Sequence, residues 1–313
     1  MNLAPIVLFV YNRPQHTKNI LDSLANNKES TDSILYIYCD GPKQNSSNEI
    51  RNLINDVREI VKCESRFKET IIIENEINKG LANSIIEGVT NVVNNHGRVI
   101  VLEDDLILSN FFLYYMNDSL ERYENIENIG QIGGCNFFSN KKKIPPTIFL
   151  PIPDCLGWAT WKSRWIHFEK NSQILLNLLL ENPDKKEMFN LYGHYNSEEM
   201  LVNQIQGNGN SWAIRWQATC VLNNWLTLYP NPSVTNHIHS DDATHANFDI
   251  MPPLLQKKID YTTVKPSIHK IAFELMKLGY SKKVDYFGKR KNSFIKTKVK
   301  NIISFLNRLL SNQ

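Results

Sequence analysis

The sequence predicts an α/β protein with a mostly parallel sheet that is covered by helices on both faces. Four short runs near the start of the chain are apolar almost throughout, which is the length and character of buried strands. Amphipathic segments with helical spacing separate these runs. Strands that are apolar on both sides and alternate with helices are typical of parallel sheets with right-handed crossovers. The predicted order is therefore β-α-β-α-β-α-β.

Each predicted element has its own local signal in the sequence. The four apolar runs occupy residues 5–10, 34–38, 71–73 and 99–102. Pro14 suits the first turn of the helix that follows the first strand. Ser46 and Glu49 predict a capping box for the second helix, whose apolar stripe runs over residues 50–60. The third helix has its apolar face over residues 85–93.

Polar segments follow three of the predicted strands at the point where each strand ends. They are Tyr-Asn-Arg at 11–13, Cys-Asp-Gly at 39–41 and Glu-Asp-Asp at 103–105. Ligands bind beyond the carboxyl ends of the strands in such sheets. We therefore expect these three segments to lie around one binding site.

The rest of the chain differs from this first part. All six tryptophans lie between residues 158 and 225, in an aromatic and irregular half that we expect to face a substrate. Residues 277–308 hold ten Lys or Arg and one acid, so a net charge of +3 leaves −6 for the remainder. An acidic body argues against a nucleic-acid-binding enzyme. The basic tail favours contact with an anionic membrane surface, since a helix from Ser293 would have aliphatic and basic faces. A helix packed on its own domain or on a dimer mate is the alternative.

Cysteine usage and hydropathy predict a cytoplasmic protein, which the basic tail would hold at the inner face of the cell membrane. The five cysteines are scattered, odd in number and never paired as Cys-x-x-Cys, which argues against a disulfide framework or a thiolate zinc site. No run reaches the ~18 apolar residues of a membrane span, and no basic segment precedes a long apolar run at the start.

The acidic triplet Glu103-Asp104-Asp105 is the sharpest chemical signal in the sequence. Carboxylates crowded at the end of a buried strand repel one another unless a cation lies among them. Mg²⁺ and Mn²⁺ take oxygen ligands, commonly one or two carboxylates together with substrate phosphate oxygens. The triplet therefore predicts a divalent metal site, and acids that decorate a helix N-terminus are the alternative.

These segments resemble a known family. The motif residues are those at 4–13, Tyr38 to Gly41 and Val101 to Leu106, followed by 155–158, 211–216 and 228–230. Together they resemble inverting glycosyltransferases of the glycosyltransferase-A fold. The closest likeness is to N-acetylglucosaminyltransferase I and bacterial surface-polysaccharide glycosyltransferases. The resemblance covers roughly residues 4–248 and implies a Rossmann-like, mostly parallel sheet. We expect a catalytic domain at 1–265 and, from the concentration of basic residues, a basic amphipathic helical tail at 266–313. Within that domain, 1–108 would bind the nucleotide-sugar and 109–265 the acceptor.

The resemblance also implies roles for residues on the donor side. Tyr11, Arg13 and Asp40 would hold the nucleotide, with Asp40 reaching the uracil of a UDP-sugar. Asp105 would bind Mn²⁺ or Mg²⁺, while Glu103 and Asp104 would contact the donor sugar and ribose. A turn role for Asp40 before Gly41 is the alternative, since Asp-Gly is a common turn pair.

Catalysis with inversion needs a base for the acceptor hydroxyl. Ser197-Glu198-Glu199-Met200-Leu201 resembles the segment that supplies this base in the family, which gives the role to Glu199 and, failing that, to Glu198. Two solvated acids at the start of a helix are the alternative.

Two further residues complete the predicted site. His245 would lie near the donor phosphates in a mobile loop at 233–245, and Trp158 would stack on a sugar or belong to the core. In the same loop His237 and His239 alternate, but a zinc site lacks a third spaced ligand.

The sequence thus predicts an inverting transfer of a sugar from a nucleotide diphosphate donor to a glycan or lipid-linked saccharide, in O-antigen or capsule synthesis. Two other classes remain open. A sugar nucleotidyltransferase would share the sheet and the metal, although it calls for a Gly-rich loop that residues 11–14 lack. A glycan-binding protein that has lost its chemistry is the other.

Overall fold

The computed structural model describes residues 3–136, 144–238, 254–256, 258 and 264–284, with side chains up to residue 280. The strands in chain order are β1 (Ile6–Val10), β2 (Ile34–Cys39), β3 (Glu69–Glu74), β4 (Arg98–Glu103), β5 (Leu106–Leu108), β6 (Ile129–Gly133), β7 (Thr147–Leu150), β8 (Trp158–Trp161), β9 (Leu226–Pro230) and β10 (Thr235–His237). The α-helices are α1 (Pro14–Ala25), α2 (Asn48–Lys62), α3 (Leu81–His96), α4 (Phe112–Tyr123), α5 (Lys162–Trp165), α6 (Ser172–Leu180), α7 (Pro183–Phe189), α8 (Ser197–Ile205), α9 (Trp212–Leu222) and α10 (Lys270–Val284).

Eight strands form one mixed sheet in the order β3-β2-β1-β4-β8-β6-β9-β7. The pairs β3–β2, β2–β1 and β1–β4 are parallel, as is β6–β9. β8 is antiparallel to both β4 and β6, so β6 runs in the same direction as β4. The residues that follow Val10, Cys39, Glu103 and Gly133 therefore meet at one side of the sheet. We call this side the carboxyl edge.

The side chains of β1 alternate between two hydrophobic cores. Ile6, Leu8 and Val10 pack with residues of α1, α2 and α4 on one face. Val7 and Phe9 pack with α3 and a tryptophan cluster on the other face. A strand that is apolar throughout is thus buried on both sides, as the sequence predicts. The α/β class, with a mostly parallel sheet between helices, is confirmed.

The N-cap of the second helix lies one residue later than the sequence predicts. The N-cap of α2 is Ser47, whose hydroxyl accepts a hydrogen bond from the Ile50 N–H at 3.3 Å. The predicted cap Ser46 instead accepts, through its backbone carbonyl, a bond from the Arg51 guanidinium. Two adjacent serines offer the same hydroxyl, and only the backbone path into the helix selects between them.

A third core joins the irregular half of the chain to the start of the predicted tail. Ala272, Phe273 and Met276 of α10 are buried there against residues of α6, α8 and α9. The boundary at 265 stays a prediction, although the tail packs on the domain at its beginning. The amphipathic segment from Ser293 lies outside the described residues. Among the described helices, none has the length and apolar character needed to cross a bilayer.

Candidate functional site

The acidic triplet and Arg13 meet at the carboxyl edge. β1 and β4 are neighbouring parallel strands, so the segments that follow them lie side by side. Arg13 Nη2 donates to Asp104 Oδ1 at 2.5 Å, and Arg13 Nη1 donates to Asp105 Oδ2 at 3.4 Å. The structure thus brings together residues that the sequence places at two separate strand ends. A cationic guanidinium already lies between two of the three carboxylates.

Asp105 is held from the other side by β10. Its backbone carbonyl accepts a hydrogen bond from the Ile238 N–H at 2.7 Å. Its carboxylate Oδ2 lies 3.2 Å from His237 Nε2. The antiparallel pairing of β10 with β5, with His237 opposite Leu106, fixes this arrangement. Sequence reasoning considered His237 only beside His239 and missed its approach to Asp105, because no local spacing connects residues so far apart.

The carboxylates of the triplet are buried close together, so burial and mutual repulsion act on their pKa values. Burial, together with Asp105 and Asp104, raises the pKa of Glu103. Burial raises the pKa of Asp104 to about 7, with Asp105 adding to the shift and Arg13 opposing it. Burial also disfavours ionised Asp105, but the hydrogen bond and charge of His237 and the charge of Arg13 outweigh it and lower that pKa. The triplet therefore holds one firmly ionised carboxylate beside two that resist ionisation.

N–H groups of the neighbouring loops donate hydrogen bonds to both carboxylate oxygens of Asp40. Its Oδ1 accepts from the backbone N–H groups of Gly41 and Lys79, both at 2.9 Å. Its Oδ2 accepts from Asn78 Nδ2 at 2.9 Å and from the Gly80 N–H at 3.0 Å. These bonds fix the loop that leads into α3, which favours the turn-forming alternative. The contact between Asp40 and uracil stays a prediction. Tyr11, two residues before Arg13 in the sequence, is half-buried, and its role in holding the nucleotide also stays a prediction.

The two candidate bases differ in what surrounds them. Glu198 forms an ion pair with Lys186 at 3.1 Å, and its second oxygen accepts from Asn190 Nδ2 at 3.3 Å. Glu199 is exposed in the first turn of α8, where the Asn196 side-chain amide donates to it. An acceptor hydroxyl that approaches from solvent can reach the Glu199 carboxylate directly, whereas the Glu198 carboxylate is held in an ion pair.

The loop before β8 borders the carboxyl edge. Trp158 pairs with Val101 in the antiparallel ladder, so residues 154–157 extend past the end of β4. The Leu156 carbonyl accepts a hydrogen bond from the Thr235 hydroxyl of β10 at 2.6 Å. The role of Glu199 as the base stays a prediction.

Trp158 cannot stack on a sugar. Its side chain is 1% exposed, and the Trp212 ring lies parallel to it at 5.1 Å between centroids. Trp165 and Trp216 also pack on it at 5.8 and 6.2 Å. The structure contradicts the sugar-stacking role and agrees with the alternative, a core tryptophan. His245 and His239 lie outside the described residues.

A divalent cation fits the chemistry of this cluster in two respects. Asp104 Oδ2 is buried and has no hydrogen-bond partner in the described part of the chain. Asp105 and His237 bring a carboxylate oxygen and an imidazole nitrogen within 3.2 Å of each other, and both ligand types suit Mn²⁺. Within the described ranges, no group of three or more His, Cys, Asp or Glu is arranged to hold a metal by itself. Bound phosphate oxygens and water would have to complete the coordination, as is common for these ions.

Comparisons with known proteins give a structural likeness and no more. No family model matches the chain, and no curated protein matches its sequence. The chain is similar to the crystal structure of residues 1–349 of S. aureus TarS, with 12% identity and a TM-score of 0.40, over 74% of this chain and 59% of that one. It is similar to S. aureus TarS in a second crystal structure with 12% identity and a TM-score of 0.39, over 76% of this chain and 37% of that one. The chain thus spans between about a third and three fifths of these TarS chains. Likeness at this level carries no argument about activity.

Proposed function

We propose that this chain is a metal-dependent, inverting glycosyltransferase that moves a sugar from a nucleotide diphosphate donor to a hydroxyl of a surface glycan. The observation that carries the proposal is the cluster at the carboxyl edge, where Arg13, Asp105 and His237 converge within hydrogen-bonding distance. This edge is where α/β sheets bind their ligands. UDP is the nucleotide that the resemblance of Asp40 and its neighbours implies.

Asp105 and His237 would hold the divalent cation. Such an ion would neutralise the charge that develops on the departing diphosphate. Arg13 lies 3.4 Å from the same Asp105 oxygen and has further N–H donors for phosphate oxygens. The reluctance of Asp104 to ionise limits the negative charge that an incoming diphosphate meets. Glu103 and Asp104 would contact the sugar and ribose.

Glu199 would accept the proton of the acceptor hydroxyl as that oxygen attacks the anomeric carbon. The bond from that carbon to the diphosphate oxygen then breaks on the opposite face, which inverts the configuration. Glu199 is suited to this because it is exposed at the start of α8 and has no ion pair among the described residues. Glu198, paired with Lys186, would position the helix start instead.

The test is transfer or hydrolysis of UDP-sugars by the full chain, with Mn²⁺ or with EDTA. We expect turnover that EDTA abolishes and that Asp105→Asn reduces at least ~100-fold. Equal turnover under all these conditions would overturn the metal-dependent mechanism. Attack of a sugar phosphate on a nucleoside triphosphate, with release of pyrophosphate, would instead identify a nucleotidyltransferase. Glycan binding with no nucleotide affinity would identify the non-catalytic alternative.

A further inference from the structure

A polar cavity lies where the start of α6, the end of α8 and the segment before α9 meet. Its volume is about 400 Å³, and its lining includes Lys170, Ser172, Gln204, Asn210 and Arg215. The lining residues of the described chain include two cations and no acid. None of the residues assigned to glycosyl transfer belongs to this lining. The cavity is therefore a separate feature with a positive charge balance.

Arg215 is a buried cation without a carboxylate. Its side chain is 9% exposed, and burial lowers the pKa of its guanidinium with no acidic neighbour to oppose the shift. Its three hydrogen bonds go to uncharged acceptors, which are the Ser211 and Lys170 carbonyls at 3.2 and 3.1 Å and Asn210 Oδ1 at 2.7 Å. A guanidinium has five N–H donors, so others remain for a ligand. A buried cation that has no carboxylate partner favours a bound anion.

Two further donors converge on the same cavity. Gln204 Nε2 is buried and has no hydrogen-bond partner within the described residues. The Ser172 hydroxyl donates to the other end of that amide at 3.4 Å, which fixes the orientation of the Gln204 side chain. Lys170 belongs to the lining, is exposed and forms no ion pair in the described part of the chain. Guanidinium, amide and ammonium donors together match the oxygens of a phosphate group.

Aliphatic side chains lie exposed next to this polar cavity. Ile205 belongs to its lining and is 39% exposed. Ile174 and Leu178 are 44% and 41% exposed on α6, and their spacing puts them on one face of the helix. The first turn of α6 borders the cavity through Ser172 and Gln173. Exposed aliphatic side chains that follow the lining residues along the same helix suit an amphiphilic ligand with a phosphate head.

We propose that this cavity binds the phosphate group of an isoprenyl or alkyl phosphate, whose chain lies along Ile174, Leu178 and Ile205. The polar donors account for the head group, and the exposed aliphatic residues account for the chain. This inference goes beyond the proposed glycosyl transfer and does not depend on it, because the two sites share no residue.

The test is calorimetric titration of the full chain with farnesyl monophosphate below its aggregation concentration. We expect saturable binding that Lys170→Gln weakens about tenfold, the loss of one charge-assisted hydrogen bond. Leu178→Asn should weaken farnesyl phosphate binding but leave the weak binding of inorganic phosphate unchanged. Lys18→Gln, an exposed lysine on α1, is the matched control and should have no effect. Both site variants change exposed residues, so folding is not in question.

Four outcomes would overturn the proposal. One is the absence of farnesyl phosphate binding to the wild-type chain. Another is binding that Lys170→Gln and Leu178→Asn leave unchanged. The third is inorganic phosphate that binds as tightly as the ester, since the aliphatic surface would then contribute nothing. Binding only to vesicles of anionic phospholipid, without binding of the monomer, would likewise assign the surface to a membrane and contradict the pocket. UDP affinity measured on the same variants should not change, which separates this test from that of the proposed function.

Discussion

The buried carboxylate Asp104 should make the metal-free protein less stable as the pH rises. Its pKa rises from 3.8 to about 7 on folding, so between these values the folded chain holds a proton that the unfolded chain has released. A group with a raised acid pKa stabilises the fold at low pH and loses that contribution as the pH passes through the folded value. From pH 5 to pH 7 the loss is about 1.4 kcal/mol per unit, or ~3 kcal/mol. For a chain of this size that corresponds to about 6 °C in Tm.

Asp104→Asn isolates this contribution, because an amide does not titrate. Thermal or urea unfolding in EDTA, with both proteins at pH 5, 6, 7 and 8, gives the stability difference between them. We expect the stability of the wild-type chain relative to Asp104→Asn to fall by ~3 kcal/mol across this range, and Mn²⁺ to reverse part of the fall if it binds beside the triplet. Parallel pH curves for the two proteins would refute the reasoning, because they would show that Asp104 ionises in the fold as it does in solvent.

Three other predictions concern chemistry and packing. Asp105→Asn should abolish the effect of Mn²⁺ on UDP affinity measured by calorimetry, and an unchanged metal effect would count against Asp105 as the ligand. Glu199→Gln should lower kcat by ~100-fold or more with little change in KM for the donor, whereas Glu198→Gln should change kcat less than threefold; the reverse result would move the base to Glu198. Gly41→Ala should cost ~2 kcal/mol or more in urea unfolding, because its Cβ would lie 2.6 Å from the Ile77 backbone. Gly279→Ala, which meets no atom within 4 Å in a helix, should be neutral or stabilising, and equal losses for both would contradict the packing argument.

The donor half of the chain shows how far local patterns reach. The apolar runs and helical stripes predict β1 to β4 and α1 to α3 because each depends on neighbouring residues in the sequence. The convergence of Arg13 with Asp104 follows from one further rule, that parallel strands end at the same edge. The acceptor half has no such regularity. Its antiparallel strand β8 lies between β4 and β6, and no sequence period predicts that insertion.

Two residues mark where local patterns fail. A tryptophan such as Trp158 can stack on a sugar or fill a core, and its residue type does not distinguish these roles. The packing of Trp165, Trp212 and Trp216 on its ring shows that it belongs to the core. Asp40 precedes a glycine in either role, and the loop that folds back over it supplies the four donors that occupy its oxygens. Burial and hydrogen bonding depend on neighbours from distant parts of the chain.

The sequence by itself determined the α/β class, the strand ends that carry polar groups and the identity of the acidic triplet. Those features depend on hydrophobic periodicity and residue type, which are local. Only the tertiary structure decided that His237 faces Asp105, that Glu199 rather than Glu198 is free of an ion pair in the described chain, and that Arg215 is buried without a carboxylate. Each of these depends on which side chains the fold brings together, and the free energy that selects that arrangement comes from packing the whole domain at once.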